Sequence, residues 1–313
     1  MELVRGLHNL RTRSEGCALT IGAFDGIHLG HQEMLRVLRV EAQRYNVPAV
    51  VLSFEPTPRE FFAKENAPAR LTRFREKFAL LQRFGVDRFV CLRFDAQLRS
   101  LSKDQFIAGI VCSKLGARHV IVGHDFRFAR NLEGTVESLR ESGAHHGFGV
   151  TEVAPFKVGD ERVSSSAVRG ALERGELEHA RRLLGRRYCM TGKVIHGAKL
   201  GRKLGYPTAN LRLHRRTSPL LGVFAVRASG AGLQNAPAVA SLGTRPVVNG
   251  QELLLEVHVF DADLDLYGAY LDVEFVAKLR DEQWFASMDE LVRQMDRDAA
   301  AARAILKRLA VSG

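Results

Sequence analysis

Short apolar runs recur along the first 185 residues, and each is followed by a segment with helical spacing. The first run, Cys17-Ala18-Leu19-Thr20-Ile21, predicts a buried parallel strand. The helical face that follows it consists of Met34, Leu35, Leu38, Ala42 and Tyr45. Further strands are predicted at 49–54, 88–92, 119–122 and 149–153. This alternation predicts a Rossmann-like α/β domain, a parallel sheet with helices on both faces.

Capping residues and glycines predict where the helices of this domain begin and end. A capping box at Ser102 starts a helix that Gly116 ends. Thr135 caps a short helix that we expect to stop at Gly143. Ligands of such a sheet bind beyond the carboxyl ends of its strands, so the segments at those ends are candidate sites.

The pattern changes near residue 185. Short strands separated by glycine turns are predicted at 188–195, 222–226, 238–242, 253–260 and 270–276. They indicate an all-β domain, an antiparallel barrel. A capping box at Ser287 begins a C-terminal helix with an apolar face. We therefore expect two domains, residues 1–185 and 186–313.

Composition narrows the class of protein. The 313 residues are 46% hydrophobic and 26% charged, which is ordinary for a soluble globular protein. No apolar stretch approaches the roughly 18 residues of a membrane helix, and the N-terminus lacks an apolar signal core. The four cysteines are far apart and form no CxxC, which argues against zinc ribbons and disulfide frameworks. We expect a cytoplasmic protein, monomeric or weakly homo-oligomeric, with no membrane partner.

The formal net charge of +11 fits either nucleic acid or small polyanionic substrates. The arginine clusters at 181–187 and 212–216 are short and lack the interleaved aromatics of a single-strand binding surface. We therefore favour nucleotide phosphates and expect no nucleic-acid partner.

The segment Gly22-Ala23-Phe24-Asp25-Gly26-Ile27-His28-Leu29-Gly30-His31 joins the first strand to the first helix. Its glycines let the backbone approach a ligand, and the helix N-terminus offers N–H groups to an anion. Two histidines lie where a phosphate would bind. The structural alternative is a strand–helix turn with a satisfied histidine.

Three other segments, at 54–58, 123–128 and 163–169, also lie at strand ends. Singly they indicate a proline turn, an aromatic-lined loop and a helix cap, but together they would lie on one rim of the sheet. Hydroxyls at a helix start, with Arg169 one turn later, suit a triphosphate. Phe126 and Phe128 suit a flat aromatic ring.

The C-terminal half contains a second set of chemical groups. The basic glycine loop at 197–205 suits a nucleotide phosphate. Thr208 and Asn210 offer neutral oxygens on one side of an extended chain, which suits Mg²⁺. Glu256 and His258 share one strand face, where a glutamate can act as a general base.

The string from Gly22 to His31 resembles the GxFDGxHxGH signature of bacterial bifunctional riboflavin kinase/FMN adenylyltransferases (FAD synthetases). The family's SSTxxR and GxDFxFG elements correspond to residues 164–169 and 123–129. The resemblance implies that His28 and His31 are catalytic. It implies that ATP is bound by Gly22, Phe24, Asp25, Gly26, His28, Gly30, His31, Ser164, Ser165 and Arg169. It implies that FMN is bound by Phe54, Pro56, Asp125, Phe126 and Phe128.

The second half resembles riboflavin kinase through GRxLGxPTAN at 201–210 and LRxExxF at 279–285. The resemblance implies Glu256 as the catalytic base and Mg²⁺ at Thr208 and Asn210. It implies that ATP is bound by Gly197, Lys199, Gly201, Lys203, Gly205 and Pro207. It implies that the flavin contacts Arg280, Glu282 and Phe285.

Three departures from the family pattern stand out: Ala129 for glycine, Phe224 for tyrosine, and Val247-Val248 for Thr-Phe. If position 129 needs a positive φ, the alanine is strained by roughly 1 kcal/mol. The resemblance implies that the chain converts riboflavin to FMN and FMN to FAD, with ATP as co-substrate. The alternatives are a different HxGH nucleotidyltransferase, a basic nucleic-acid-binding protein, and a kinase whose first domain is vestigial or only binds flavin.

Overall fold

The computed structural model describes residues 1–11, 15–197, 204–247, 250–262 and 264–311. The chain divides into two compact units, Met1–Pro68 with Thr72–Ser164, and Ala69–Leu71 with Ser165–Gly313. The expected division at residue 185 stays a prediction. In the described part of the chain, no helix combines the length and apolar character needed to cross a bilayer.

The first unit is built on a six-stranded, all-parallel sheet in the order β1-β4-β3-β2-β5-β6. Its strands are β1 (Glu2–Arg5), β2 (Cys17–Ile21), β3 (Ala49–Glu55), β4 (Arg88–Arg93), β5 (Ala117–Gly123) and β6 (Gly149–Val153). The predicted parallel sheet is confirmed. The hydrophobic pattern does not predict β1, because only Val4 of its four residues is buried.

Helices cover both faces of this sheet. They are α1 (Leu29–Tyr45), α2 (Pro58–Ala63), α3 (Phe74–Arg83), α4 (Ala96–Ser100), α5 (Lys103–Phe106, continuing as a π-helical segment Ile107–Lys114) and α6 (Val136–His146). One core contains Leu35 of α1 and Leu81 of α3, and the other contains Phe106 of α5 and Leu139 of α6. A small hairpin, β7 (Lys157–Val158) and β8 (Glu161–Arg162), follows the sheet.

The expected end of α6 at Gly143 is wrong. The helix continues to His146, and Gly147 ends it with φ 80°. Gly143 is needed for packing instead, because a Cβ there would overlap the Phe148 carbonyl oxygen. The predicted caps at Ser102 and Thr135 are confirmed, each side chain accepting a bond from the N–H three residues later.

The second unit contains α7 (Ser165–Glu173), α8 (Leu177–Leu184) and a closed antiparallel barrel in the order β10-β13-β12-β11-β14-β9. The strands are β9 (Cys189–Ile195), β10 (Ala209–Arg212), β11 (Gly222–Gly230), β12 (Leu233–Val247), β13 (Gly250–Val259) and β14 (Tyr270–Arg280). The predicted barrel is confirmed. Strand β10 appeared in the sequence only as an extended segment, because it has just four residues.

The predicted C-terminal helix is α9 (Met288–Val311). Ala302 and Leu306 pack on Ala225 and Val276 of the barrel. Leu309, three residues further along the helix, is 39% exposed and is not part of this apolar cluster.

Candidate active sites

Buried side chains hold the loop between β2 and α1 in its shape. Phe24 and Ile27 have positive φ values of 49° and 41°, and both side chains are 0% exposed. A positive φ at a non-glycine residue destabilises the fold by about 1–3 kcal/mol, whereas burying an aromatic or branched side chain stabilises it by roughly 1.5–3 kcal/mol. Burial therefore maintains the strained turn. The Phe24 side chain supports the loop and has no surface left for ATP.

Hydrogen bonds from α3 and the residues before it also fix this loop. The Asp25 carboxylate accepts bonds from the Thr72 backbone N–H (2.9 Å) and hydroxyl (3.2 Å). The Gly26 N–H donates to the Thr72 hydroxyl at 3.0 Å, and the buried Lys77 ammonium donates to the Ala23 carbonyl at 2.6 Å. Sequence analysis did not find Thr72 or Lys77, because their link to the loop is long-range.

The two histidines lie together at the N-terminus of α1. The rings of His28 and His31 stack with centroids 3.7 Å apart and planes 19° apart. His28 caps the helix, its Nδ1 accepting a bond from the His31 N–H at 3.4 Å. A Cβ at Gly30 would lie 3.3 Å from the His28 ring, so the glycine leaves room for it. The arrangement places two imidazoles beside a helix dipole that favours an anion.

Loop 123–134 presents the residues predicted to bind FMN. Arg162 donates to Asp125 at 2.6 Å, and although burial alone would raise the pKa of Asp125, this guanidinium holds it below its ordinary value. The rings of Phe126 and Phe128 stack 5.5 Å apart. Phe128 is 6% exposed, so it supports the half-exposed Phe126, which retains surface for a flavin ring.

Ala129 has φ 64° and ψ −170°, so the position does need a positive φ. This region of backbone space is essentially reserved for glycine. The backbone strain that we expected at Ala129 for a positive φ is therefore present.

Phe54 lies at the end of β3, and a cis peptide joins Glu55 to Pro56. The centre of the Phe54 ring is 5.9 Å from that of the Phe94 ring, and the Phe94 ring contacts Phe61 and Phe62. Phe62 is 58% exposed, so this cluster offers an aromatic surface next to Phe54, one of the predicted FMN residues. Sequence analysis missed it because the rings come from β3, α2 and the end of β4.

The predicted triphosphate residues divide between the two units. Ser164 belongs to the first unit, whereas Ser165 and Arg169 belong to the second. Arg169 is 8% exposed and donates to the Ala69 carbonyl at 2.6 Å. It stays a prediction that Ser164, Ser165 and Arg169 bind the same triphosphate as the paired histidines.

The barrel brings three predicted kinase groups together. Asn210 of β10 lies directly opposite Glu256 of β13, so both side chains project from the same face. A Cβ at Gly197 would overlap the Asn210 amide, which places the start of the glycine loop beside it. Lys199, Gly201 and Lys203 lie outside the described residues, and Gly205 follows them with φ 83°.

The turn before β10 is fixed by its neighbours. His258 bonds through Nδ1 to the Pro207 carbonyl at 2.9 Å, and the Tyr206 ring meets the His258 ring edge-on. Thr208 and Asn210 follow this turn. The Thr208 hydroxyl and the Asn210 amide oxygen are hard oxygen donors of the kind that Mg²⁺ prefers, and Asn210 lies opposite Glu256.

The predicted flavin residues lie at the end of β14 and directly after it. Arg280 binds Asp298 of α9, and its guanidinium lies 5.6 Å from the centre of the Phe285 ring. The carboxyl group of Glu282 occupies the space that a Cβ at Gly243 would need. Burial raises the pKa of Glu282, with the Arg280 charge opposing it.

One unit is a parallel α/β sheet with paired histidines at a helix N-terminus, and the other contains a barrel with an Asn–Glu pair; together these features define a nucleotide-dependent transferase with two sites. The family model for FAD synthetase matches residues 10–167, and that for riboflavin kinase matches residues 184–306. The chain belongs to the bifunctional riboflavin kinase/FMN adenylyltransferase family.

Relatives and a solved structure support this assignment. The bifunctional riboflavin kinase/FMN adenylyltransferase of Escherichia coli (strain K12) is 46% identical over 97% of both chains. That of Pseudomonas fluorescens is 47% identical over 97% of this chain and 98% of its own length. A crystal structure described as a macrolide-efflux protein from Streptococcus pneumoniae has 31% identity and a TM-score of 0.83, covering 97% of this chain and 99% of that one.

Proposed function

We infer that this chain phosphorylates riboflavin to FMN with ATP and then adenylylates FMN with a second ATP, releasing pyrophosphate. We assign the adenylyltransferase to residues 1–185 and the kinase to residues 186–313. One observation supports the proposal: each unit has its own cluster of residues that are predicted to bind phosphate. The first is the His28–His31 pair at the start of α1, and the second is Asn210 opposite Glu256 beside Gly197.

In the kinase, Glu256 would accept the proton of the ribityl 5′-hydroxyl. The hydroxyl oxygen then bonds to the γ-phosphorus of ATP, and the bond from that phosphorus to the ADP oxygen breaks. Thr208 and Asn210 would hold Mg²⁺, which neutralises triphosphate charge when bound. Gly197, Lys199, Gly201, Lys203, Gly205 and Pro207 would form the surrounding nucleotide loop.

In the adenylyltransferase, an FMN phosphate oxygen attacks the α-phosphorus of ATP in line, and pyrophosphate leaves. No covalent protein nucleophile is required, so positioning and charge stabilisation supply the catalysis. His28, His31 and the N–H groups of α1 would hold the phosphates, joined by Ser164, Ser165 and Arg169. The aromatic surface around Phe54 and Phe126 would carry the isoalloxazine ring.

We further propose a cytoplasmic enzyme, monomeric or weakly homo-oligomeric, with no nucleic-acid partner. The four cysteines are free thiols, which supports a reducing compartment.

The test is to incubate the purified full chain with riboflavin, ATP and Mg²⁺ and to separate FMN from FAD by chromatography. We expect FMN to appear first and FAD to follow with pyrophosphate, and EDTA to stop both steps. FMN without FAD would support the vestigial-domain alternative. Neither product, together with salt-sensitive RNA binding, would support the nucleic-acid alternative.

A further inference from the structure

Helix α9 holds the segment that follows β14 through one buried carboxylate. Asp298 is 6% exposed and accepts three bonds from Arg280: from Nε at 3.2 and 3.0 Å, and from Nη2 at 2.8 Å. Gln294, one turn earlier, donates to Asp298 at 2.9 Å. Because both oxygens of Asp298 are engaged, the carboxylate has a defined orientation.

Arg280 passes this restraint on to the flavin-binding segment. Its Nη1 donates to the Asp281 carbonyl at 3.0 Å, and Phe285 lies beside its guanidinium. Three of its five N–H groups are therefore used within the protein. These contacts let Arg280 restrain residues 281–285, in addition to the flavin contact that the family resemblance implies.

The same helix also holds the nucleotide-binding turn. Asp296, two residues before Asp298, accepts a hydrogen bond from the Tyr206 hydroxyl. Burial, and then this bond, raise the pKa of Tyr206 to about 12, so the hydroxyl keeps its proton at neutral pH. Tyr206 immediately precedes Pro207 and Thr208, which belong to the predicted ATP and metal site.

We propose that α9 positions both substrates of the kinase: Asp298 fixes the riboflavin-binding segment through Arg280, and Asp296 fixes the ATP-binding turn through Tyr206. The inference rests on the proposed kinase function. Asp296 and Asp298 touch neither substrate, so they are positioning residues. Each of them controls one substrate.

Two conservative variants test the Asp298–Arg280 contact and the Asp296–Tyr206 contact separately. Asp298→Asn removes the charge that orients Arg280, and it should raise the KM for riboflavin about tenfold. Tyr206→Phe removes only the hydroxyl, and it should raise the KM for ATP about threefold to tenfold. In each variant the other KM should change less than about twofold. Gln294→Leu removes one bond to Asp298 and should raise the riboflavin KM by a smaller factor.

The matched control is Asp261→Asn. Asp261 forms an ion pair with Arg303, also on α9, and its side chain is 74% exposed. The chemical change is the same, but among the described residues Asp261 forms no hydrogen bond to either substrate segment, so each KM value should change less than about twofold. Thermal unfolding of the full chain, measured on the same samples, checks that the second unit is folded.

The chain's single tryptophan gives a direct readout. Trp284 lies within residues 281–285 and is 85% exposed. Asp298→Asn should lower its steady-state fluorescence anisotropy, whereas Tyr206→Phe should leave it unchanged.

The experiment uses the full chain, steady-state kinase kinetics and tryptophan anisotropy. If wild type forms no FMN, the proposed function fails, whatever the variants do. If wild type is active and Asp298→Asn raises both KM values equally, or neither, the positioning role is overturned. Should Asp298→Asn fail to fold, Gln294→Leu and Tyr206→Phe decide by the same criterion.

Discussion

Ala129→Gly should stabilise the protein, although it removes a methyl group. Ala129 has φ 64° and ψ −170°, where a non-glycine residue is strained. It packs only partly against the core that includes Phe128. Glycine adopts this backbone conformation freely, so the substitution releases the strain without altering the loop.

The magnitude follows from three opposing effects. Strain relief contributes about 2 kcal/mol, the middle of the usual range of roughly 1–3 kcal/mol. This exceeds the roughly 1 kcal/mol expected from a positive φ alone, because the ψ of −170° places Ala129 in a region that is essentially reserved for glycine. Losing a half-buried methyl group costs about 0.4 kcal/mol, half the value of a fully buried CH₂. The extra freedom of glycine in the unfolded chain costs about 0.7 kcal/mol. The net gain is therefore about 1 kcal/mol, or roughly 2–4 °C in Tm for a unit of this size.

Differential scanning calorimetry of the full chain measures the shift. The matched control is Ala144→Gly, at an exposed position inside α6 of the same unit. Ala144→Gly should lower the free energy of unfolding by about 1 kcal/mol, because alanine is unstrained in a helix and glycine is a poorer helix former. The two variants should shift the Tm in opposite directions. If Ala129→Gly lowers the Tm as Ala144→Gly does, the reasoning about strain is refuted.

Two further predictions concern the first unit. Thr72→Val removes the hydroxyl that bonds Gly26 and Asp25, so urea unfolding should show a free energy of unfolding lower by about 1–3 kcal/mol. FAD formation should fall while FMN formation persists. An unchanged rate of FAD formation would contradict the role of Thr72 in anchoring the loop. Burial lowers the pKa of His119 below 6.5, with Glu41 opposing and Arg44 reinforcing the shift. Unfolding then takes up a proton, so this stability is present above about pH 6.5 and is lost as the pH falls below it. His119→Gln should make the fall in Tm between about pH 7 and pH 5 less steep than in wild type. An equal slope in the variant and the wild type would argue against a contribution of His119 to this fall.

Elements that depend on local signals were predictable from the sequence. The bounds of β2 and β6 match the predicted 17–21 and 149–153. For β2 the cause is a run of five buried residues, whereas β6 is a short run of strand-forming residues, none of which is buried. The caps of Ser102 and Thr135 act within three residues of the chain. Strand β1 and the end of α6 were not predictable, because pairing with β4 and packing against Phe148 decide them.

The candidate sites divide in the same way. The chemical types of His28, Asn210 and Glu256 are visible in the sequence, but their juxtaposition depends on the fold. Asn210 lies opposite Glu256 only because β10 pairs with β13 in that register. The contacts that hold Asp25 and Arg280 come from Thr72 and Asp298, 47 and 18 residues away. No local signal marks such partners.

The central claim is that one chain carries two independent phosphate-binding sites. Its most direct test is product analysis of two variants, His28→Ala and Glu256→Gln, with FMN and FAD separated by chromatography. We predict that His28→Ala converts riboflavin to FMN but forms no FAD. Glu256→Gln should form no FMN from riboflavin, yet adenylylate FMN that is supplied to it. Loss of both activities in each variant, with the chain still folded, would contradict the account.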